Sequence, residues 1–274
     1  MFMDGELARR VERVEAAIGT SFVETRQRIT PHVGAAWQDF SGTYAMFDGA
    51  ASPMTQSFGL GMFAPVTAEL LDAIEAFFRE RGAEPMHEVS PLAGVETFAL
   101  LAERGYRPIE LSTVLVQPLA QIAEPTPVAG MSLRAIERAD HATWVDTAVA
   151  GWSAEPTYGQ VIRELSEIVV ENPTMTSWLV ERAGAPIATG SLGMHDGVAL
   201  LAGASTIPAG RGLGAQGLLL GVRLAEARRR GCDVALMITN PGSTSQRNAE
   251  RRGFRVAYTR TKWKLASGGA AEAT

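Results

Sequence analysis

The residues with the most chemistry to offer are Arg211 to Gly217, RGLGAQG. They follow the apolar run ALLAGASTIP and lead into the helical run LLLGVRLAEARRR. Glycine opens backbone N–H groups to close approach, because no Cβ stands in the way. The first turn of a helix leaves N–H groups unpaired and carries the positive end of the dipole. An arginine beside them adds paired donors that suit phosphate oxygens. Glycines and an arginine between a strand and a helix therefore suit a pyrophosphate. A flexible glycine loop is the bland alternative.

Gly212, Gly214 and Gly217 also satisfy GxGxxG, which raises a dinucleotide site. That reading expects the glycines directly after the strand and an acid at the tip of the next strand. Here Pro208, Ala209, Gly210 and Arg211 intervene, and the next strand, DVALMIT, ends in Thr239 and Asn240. Asp233 stands at that strand's start. A Walker loop fails because no Lys-Ser or Lys-Thr follows the last glycine.

The string resembles the Arg/Gln-x-x-Gly-x-Gly/Ala loop of the GNAT acetyltransferase superfamily, with Arg211, Gly214 and Gln216 at the defined positions. Pro208 stands where that family often has proline. Downstream, DVALMIT and SQRNAERRGFRVAYTR resemble its next strand, its following helix and the Gly-Phe turn at Gly253 and Phe254. The resemblance covers roughly residues 131 to 265.

In that family the loop binds the pyrophosphate of acetyl-coenzyme A. The resemblance thus implies acetyl-coenzyme A as co-substrate, held by Arg211, Gly212, Leu213, Gly214, Ala215, Gln216 and Gly217. The strand before the loop splays from its neighbour in the family, bonds the pantetheine arm and polarises the thioester through a backbone N–H. Its counterpart here is ALLAGAST, with Gly203 permitting a bulge and Ala204, Ser205 and Thr206 as contact residues. Ser245 and Asn248 open the final helix, near where members contact the coenzyme; helix capping is their alternative.

Two departures matter. Gln216 replaces a small residue, so its side chain must turn away from the phosphate or bond to it. The position where many members carry a tyrosine, the usual acid for the departing thiolate, is Ala249. Ser245, Tyr258 or water is left to substitute. For the acceptor side, Glu155 and Tyr158 in GWSAEPTYG fall on a loop that the resemblance places along the acceptor pocket. His195 belongs to the turn HDG, where Asp196 and Gly197 already explain a hairpin.

The implied activity is N-acetyl transfer from acetyl-coenzyme A to an amine of a small molecule or protein, directly within a ternary complex. Orientation alone can be worth ~7–11 kcal/mol there. The alternative is a non-catalytic module that binds acetyl-coenzyme A or coenzyme A and regulates. An NAD-linked oxidoreductase rests only on the GxGxxG coincidence.

The N-terminal half carries a second copy of the pattern. LLDAIEAFFRERG, PMHEVS, ETFALLAERG and YRPIELSTVLVQPL parallel the helix ending RRRG, DVALMIT, SQRNAERRG and FRVAYTRTKWKL. Gly82 and Gly105 are spaced almost as Gly231 and Gly253 are. Aligned on Gly82 and Gly231, the phosphate loop falls on Met62 to Ala68, MFAPVTA, with no glycine and with Pro65 in place of Gly214. Proline supplies no N–H, so this half reads as a degenerate copy.

The expected fold is α/β with a mixed sheet: two tandem GNAT-like domains, each a mostly antiparallel sheet flanked by helices. They span residues 1–122 and 130–266, joined by the Pro-bearing linker LAQIAEPTPVAG. Leu7, Val11, Val14 and Ile18 mark an opening amphipathic helix. FSGTYAMFDG followed by PMTQSFGLGMF reads as a hairpin with Asp48–Gly49 in its turn. MSLRAI is a strand and ADHATWVDTAVAG a helix. WLVERAG, PIATGSLGM and VALLAGAST form a meander turning at Ala183–Gly184 and Asp196–Gly197. The tail SGGAAEAT has nothing to bury and is expected to be disordered.

The 274 residues, 46% apolar, suffice for two ordinary domains. A net charge of -5 gives no support for nucleic-acid binding. No apolar run approaches the ~20 residues of a membrane span, and MFMDGELARR lacks a signal peptide's apolar core. Cys232 is the single cysteine, and His32, His87, His141 and His195 lack ligand spacing. A cytoplasmic, metal-free protein is the simplest reading; nothing in the chain fixes an oligomeric state.

Overall fold

The computed structural model describes residues 3–152 and 159–266. In chain order its elements are α1 (Gly5–Ile29), β1 (Ala36–Phe40), β2 (Thr43–Phe47), β3 (Gln56–Phe58), α2 (Ala68–Arg79), β4 (Met86–Val89), α3 (Val95–Glu103) and β5 (Tyr106–Pro118). There follow β6 (Met131–Ala135), α4 (His141–Gly151), α5 (Gly159–Glu171), β7 (Met175–Arg182), β8 (Ala185–His195) and β9 (Val198–Thr206). The chain closes with α6 (Ala215–Arg229), β10 (Val234–Thr239), α7 (Thr244–Glu250) and β11 (Arg255–Leu265). Two compact units emerge, one from Met1–Val116 with Ile238–Thr274, the other from Gln117–Met237.

In the first unit the strand order is β1-β2-β3-β4-β11-β5. All pairs are antiparallel except β3 with β4. Helix α1 begins where Asp4 accepts from the Leu7 N–H at 2.9 Å, and it buries Val11, Val14 and Ile18, as its spacing dictates. Leu71, Ile74 and Phe78 of α2 and Leu101 of α3 pack with Val89 and Tyr106 in one core. The expected β2–β3 pairing is present, but Asp48 and Gly49 open a longer connection over residues 48–55 instead of forming a tight turn. The tight turn is Ser41–Gly42, between β1 and β2.

In the second unit the order is β10-β9-β8-β7-β6, antiparallel except for β9 with β10. The meander turns at Ala183–Gly184 and Asp196–Gly197, all four with positive φ, as the sequence indicates. Trp144, Val145 and Ala148 of α4 pack on Leu179. Helix α5, to which the sequence reading assigns nothing, adds Ile168 to the buried set. Residues 122–128 have no regular structure and run along α6. Arg228 Nη1 donates to the Ile122 carbonyl at 2.9 Å, and a Cβ on Gly221 would lie 3.1 Å from Pro125 Cβ.

The repeated order is present as α2–β4–α3–β5 and α6–β10–α7–β11. Gly82, Gly105, Gly231 and Gly253 each close a helix with positive φ. The compact units nevertheless depart from the expected 1–122 and 130–266 ranges. Helix α7 and β11 group with the N-terminal residues, because β11 pairs with β4 and, along its length, with β5. Among the described residues no helix is long and apolar enough to cross a membrane.

Candidate functional site

Strand β9 meets β10 only through Val198–Val234, Ala199–Ala235 and Leu200–Leu236. Beyond Leu200 no ladder pair joins that edge to a strand among the described residues, although β10 runs on to Thr239. On its other edge the register jumps from Ser191–Ala202 to Thr189–Ser205, so that Gly203 and Ala204 face Gly190 alone. This is a bulge, and Gly203 adopts φ +61 in it. The Ser205 hydroxyl donates to the Ala148 carbonyl at 2.9 Å, holding the strand's end to α4.

The loop after β9 leads to Gly214, which occupies the N-cap of α6 with φ +95 and no side-chain cap. Only glycine adopts that backbone without strain. Gly217 and Leu218 donate to the Gly214 carbonyl at 3.0 and 3.1 Å. Among the described residues, the N–H groups of residues 212 to 216 donate to nothing. Gly212 has open space around its missing Cβ, and Gly214 has only Val128, at 3.7 Å. Successive bare donors at a helix N-terminus form a nest for an anion.

Gln216 resolves its departure by turning away. Its Nε2 donates to the Ser205 carbonyl at 3.0 Å and to Thr206 Oγ1 at 2.6 Å. Arg211 is exposed, and its guanidinium bridges the Thr206 carbonyl at 3.3 Å and the Gly151 carbonyl at 2.8 Å. It therefore staples the loop to the C-terminal end of α4, where a cation suits the dipole. Ala204, Ser205, Thr206 and the whole run from Arg211 to Gly217 are thus gathered around one strand end and one helix start.

The other candidates are placed elsewhere or not described. Glu155 and Tyr158 lie outside the described residues. Ser245 and Asn248 are exposed on α7, and the cap of that helix is Ser243, whose hydroxyl accepts from the Gln246 N–H at 3.1 Å. The capping alternative for Ser245 and Asn248 is thereby corrected. Tyr258 belongs to the first unit, buried, its hydroxyl donating to Glu12 at 2.6 Å. Burial, then the Glu12 charge, raises its pKa far above the ordinary tyrosine value. A hydroxyl so held is unsuited to deliver a proton, and that role is withdrawn. Ala249 is buried on the core side of α7.

One residue escapes a reading by motif. Arg223 on α6 is 3% exposed and donates to the carbonyls of Leu219, Ser191 and Ala202 at 3.2, 3.2 and 3.1 Å. The signal available was its spacing, one helical turn from Leu219 and from Ala227, both fully buried. Among the described residues no cluster of His, Cys, Asp and Glu could hold a metal ion.

No protein-family model matches the sequence, and no curated protein is similar to it. Solved structures do match. A GCN5-related N-acetyltransferase from Kribbella flavida has TM-score 0.62 and 19% identity, over 93% of this chain and 97% of that chain. A tandem GNAT protein from the clavulanic acid biosynthesis pathway has TM-score 0.57 and 13% identity, over 83% and 79%. The protein has the GNAT fold. A GCN5-related N-acetyltransferase from Sphaerobacter thermophilus adds TM-score 0.55 at 16% identity, over 78% and 73%. Within the GNAT fold the helix-capping loop of the second unit keeps its donors bare. Its counterpart in the first unit, between β3 and α2, does not: there Thr67 is the N-cap and accepts from the Leu70 N–H at 3.2 Å.

Proposed function

We propose that this protein is an acetyl-coenzyme A-dependent N-acetyltransferase with one coenzyme site per chain, at the start of α6. The observation that carries the reading is the run of bare N–H groups over residues 212 to 216, beside a strand edge that has left its neighbour. These residues fit a pyrophosphate: successive N–H groups have no acceptor among the described residues, no Cβ obstructs at Gly212 or Gly214, and Arg211 contributes positive charge.

Acetyl-coenzyme A supplies the acetyl group already activated as a thioester. The loop N–H groups hold its phosphates, and the backbone of Ala204 to Thr206 lines the pantetheine arm. An uncharged amine, of a small molecule or a protein, is the acceptor, and binding both reactants together lowers the entropic barrier to attack. Ala249 offers no acid to the departing thiolate. A thiol of pKa near the ~8.5 of free cysteine needs none, since water protonates it near neutral pH. Solvent likewise suffices to take the amine proton.

The same Ala249 favours a second reading, a coenzyme-binding module without turnover. Thermal-shift titration with acetyl-coenzyme A, coenzyme A and NAD, followed by coenzyme A release across a panel of amines, separates the two. The proposal expects stabilisation by both coenzyme forms, none by NAD, and turnover on at least one amine class. Stabilisation without turnover on any of them would favour the module.

A further inference from the structure

Arg223 is a cation in the core of the second unit with no counter-charge among the described residues. Among the described residues no carboxylate pairs with it, and its partners are three backbone carbonyls. Burial alone lowers its pKa to about 10, with no neighbouring charge acting on it. A buried cation so placed costs stability that an apolar side chain of similar volume would not. The repeat supplies the comparison. Counting back equally from Gly231 and Gly82, the first unit places Ile74 at this position, fully buried in its apolar core. The charge belongs only to the unit whose loop is open.

The backbone makes room for it. A Cβ on Gly190 would lie 3.1 Å from Arg223 Cζ, and Gly190 is the residue opposite the bulge. Ala202, whose carbonyl the guanidinium holds at 3.1 Å, is the residue just before Gly203. A trans peptide directs its N–H opposite to its C=O. The N–H of Gly203 therefore points away from the guanidinium. A charge-assisted bond to one end of a peptide strengthens the donor at the other.

We propose that Arg223 is a positioning residue whose charge polarises the Ala202–Gly203 peptide, strengthening its N–H as a donor to the acyl oxygen of a bound thioester. This rests on the coenzyme reading above and names the peptide unit that activates the substrate. No bond to Arg223 forms or breaks in transfer; it stabilises charge that grows on the acyl oxygen as the amine attacks.

The test is the infrared carbonyl stretch of acetyl-coenzyme A labelled at the acetyl carbonyl, bound to wild type, Arg223→Met, Arg223→Gln and Arg223→Lys. Wild type should lower the frequency relative to free coenzyme, and Arg223→Lys should retain most of the shift. Arg223→Met and Arg223→Gln should lose at least half of it with coenzyme affinity within about threefold. Turnover should fall roughly tenfold in these two, less than the hundredfold or more of losing a direct donor. Arg223→Met should melt no lower than wild type. An unchanged carbonyl band in coenzyme-bound Arg223→Met or Arg223→Gln would overturn the inference, as would a large loss of melting temperature with the band unmoved. Failure of wild type to bind acetyl-coenzyme A would remove the proposed site and this inference with it.

Discussion

Each compact unit carries a strand–loop–helix step, and the two steps have opposite fates. In the first unit the loop from Gly59 to Thr67 is packed against its neighbours. Leu60 and Met62 are buried, and Arg9 Nε donates to the Met62 carbonyl at 2.9 Å. The Arg13 guanidinium lies 3.8 Å from the Phe63 ring centroid, a cation–π contact. A Cβ on Gly61 would come within 2.8 Å of Ala93 Cβ and Thr97 Oγ1. Thr67 caps the helix. In the second unit Arg211, Gly212 and Gly214 are exposed, no side chain caps α6, and the N–H groups of residues 212 to 216 have no acceptor among the described residues. The same step becomes core where the chain satisfies its own helix start, and a binding rim where it does not.

The largest effect expected concerns the closed interior of the first unit. His87 is fully buried on β4, its Nδ1 bonded to the Ser57 hydroxyl at 2.7 Å, and burial lowers its pKa to about 3. Below the ordinary histidine value near 6.5 the unfolded chain takes up a proton that the folded chain refuses. This stability is therefore present above pH ~6.5 and lost as pH falls toward the folded pKa, at ~1.4 kcal/mol per pH unit. Urea unfolding of wild type and His87→Gln across that range should give a steeper loss for wild type. Equal slopes would mean that His87 charges in the fold.

Gly214→Val sharpens the comparison from the open side. At φ +95 a β-branched side chain is strained by ~1–3 kcal/mol, and its bulk obstructs the nest. Acetyl-coenzyme A affinity should fall about a hundredfold by calorimetry with circular dichroism unchanged, since the new Cβ meets only Val128 at 3.7 Å. Global unfolding of the variant would assign the glycine to packing.

Arg211→Glu should weaken binding roughly tenfold to a hundredfold, the worth of one charge-assisted bond plus repulsion. Unchanged affinity in a folded variant would leave Arg211 as a staple between Thr206 and Gly151 and nothing more. The smallest effect is Thr67→Ala, which should cost about 1 kcal/mol of stability through the lost cap. It should create no coenzyme site, because Arg9, Arg13, Ala93 and Thr97 crowd the rest of that loop. New binding there would show that the cap alone separates the two loops.

Much of this was legible in the chain. Glycine and arginine between an apolar run and a helical run located the loop, and alternation with Gly-bearing turns located the meander, because both signals are local. The repeat was legible through Gly82, Gly105, Gly231 and Gly253. Its loop alignment was off by two positions: Thr67, not Pro65, matches Gly214 as helix N-cap, because α2 is shorter than α6. The strand pairing of β11 with β4 and β5 was not legible, since non-local pairing leaves no local pattern. Tyr258 was misread for that reason: its partner Glu12 stands at the far end of the chain. Arg223 carries no motif, and only its helical spacing from Leu219 and Ala227 signals its burial.

The most direct test of the open-versus-closed account is titration calorimetry of the intact chain with acetyl-coenzyme A. The account predicts one site per chain, lost or weakened about a hundredfold in Gly214→Val and untouched in Thr67→Ala. Two equivalent sites, or a single site indifferent to Gly214→Val, would contradict it.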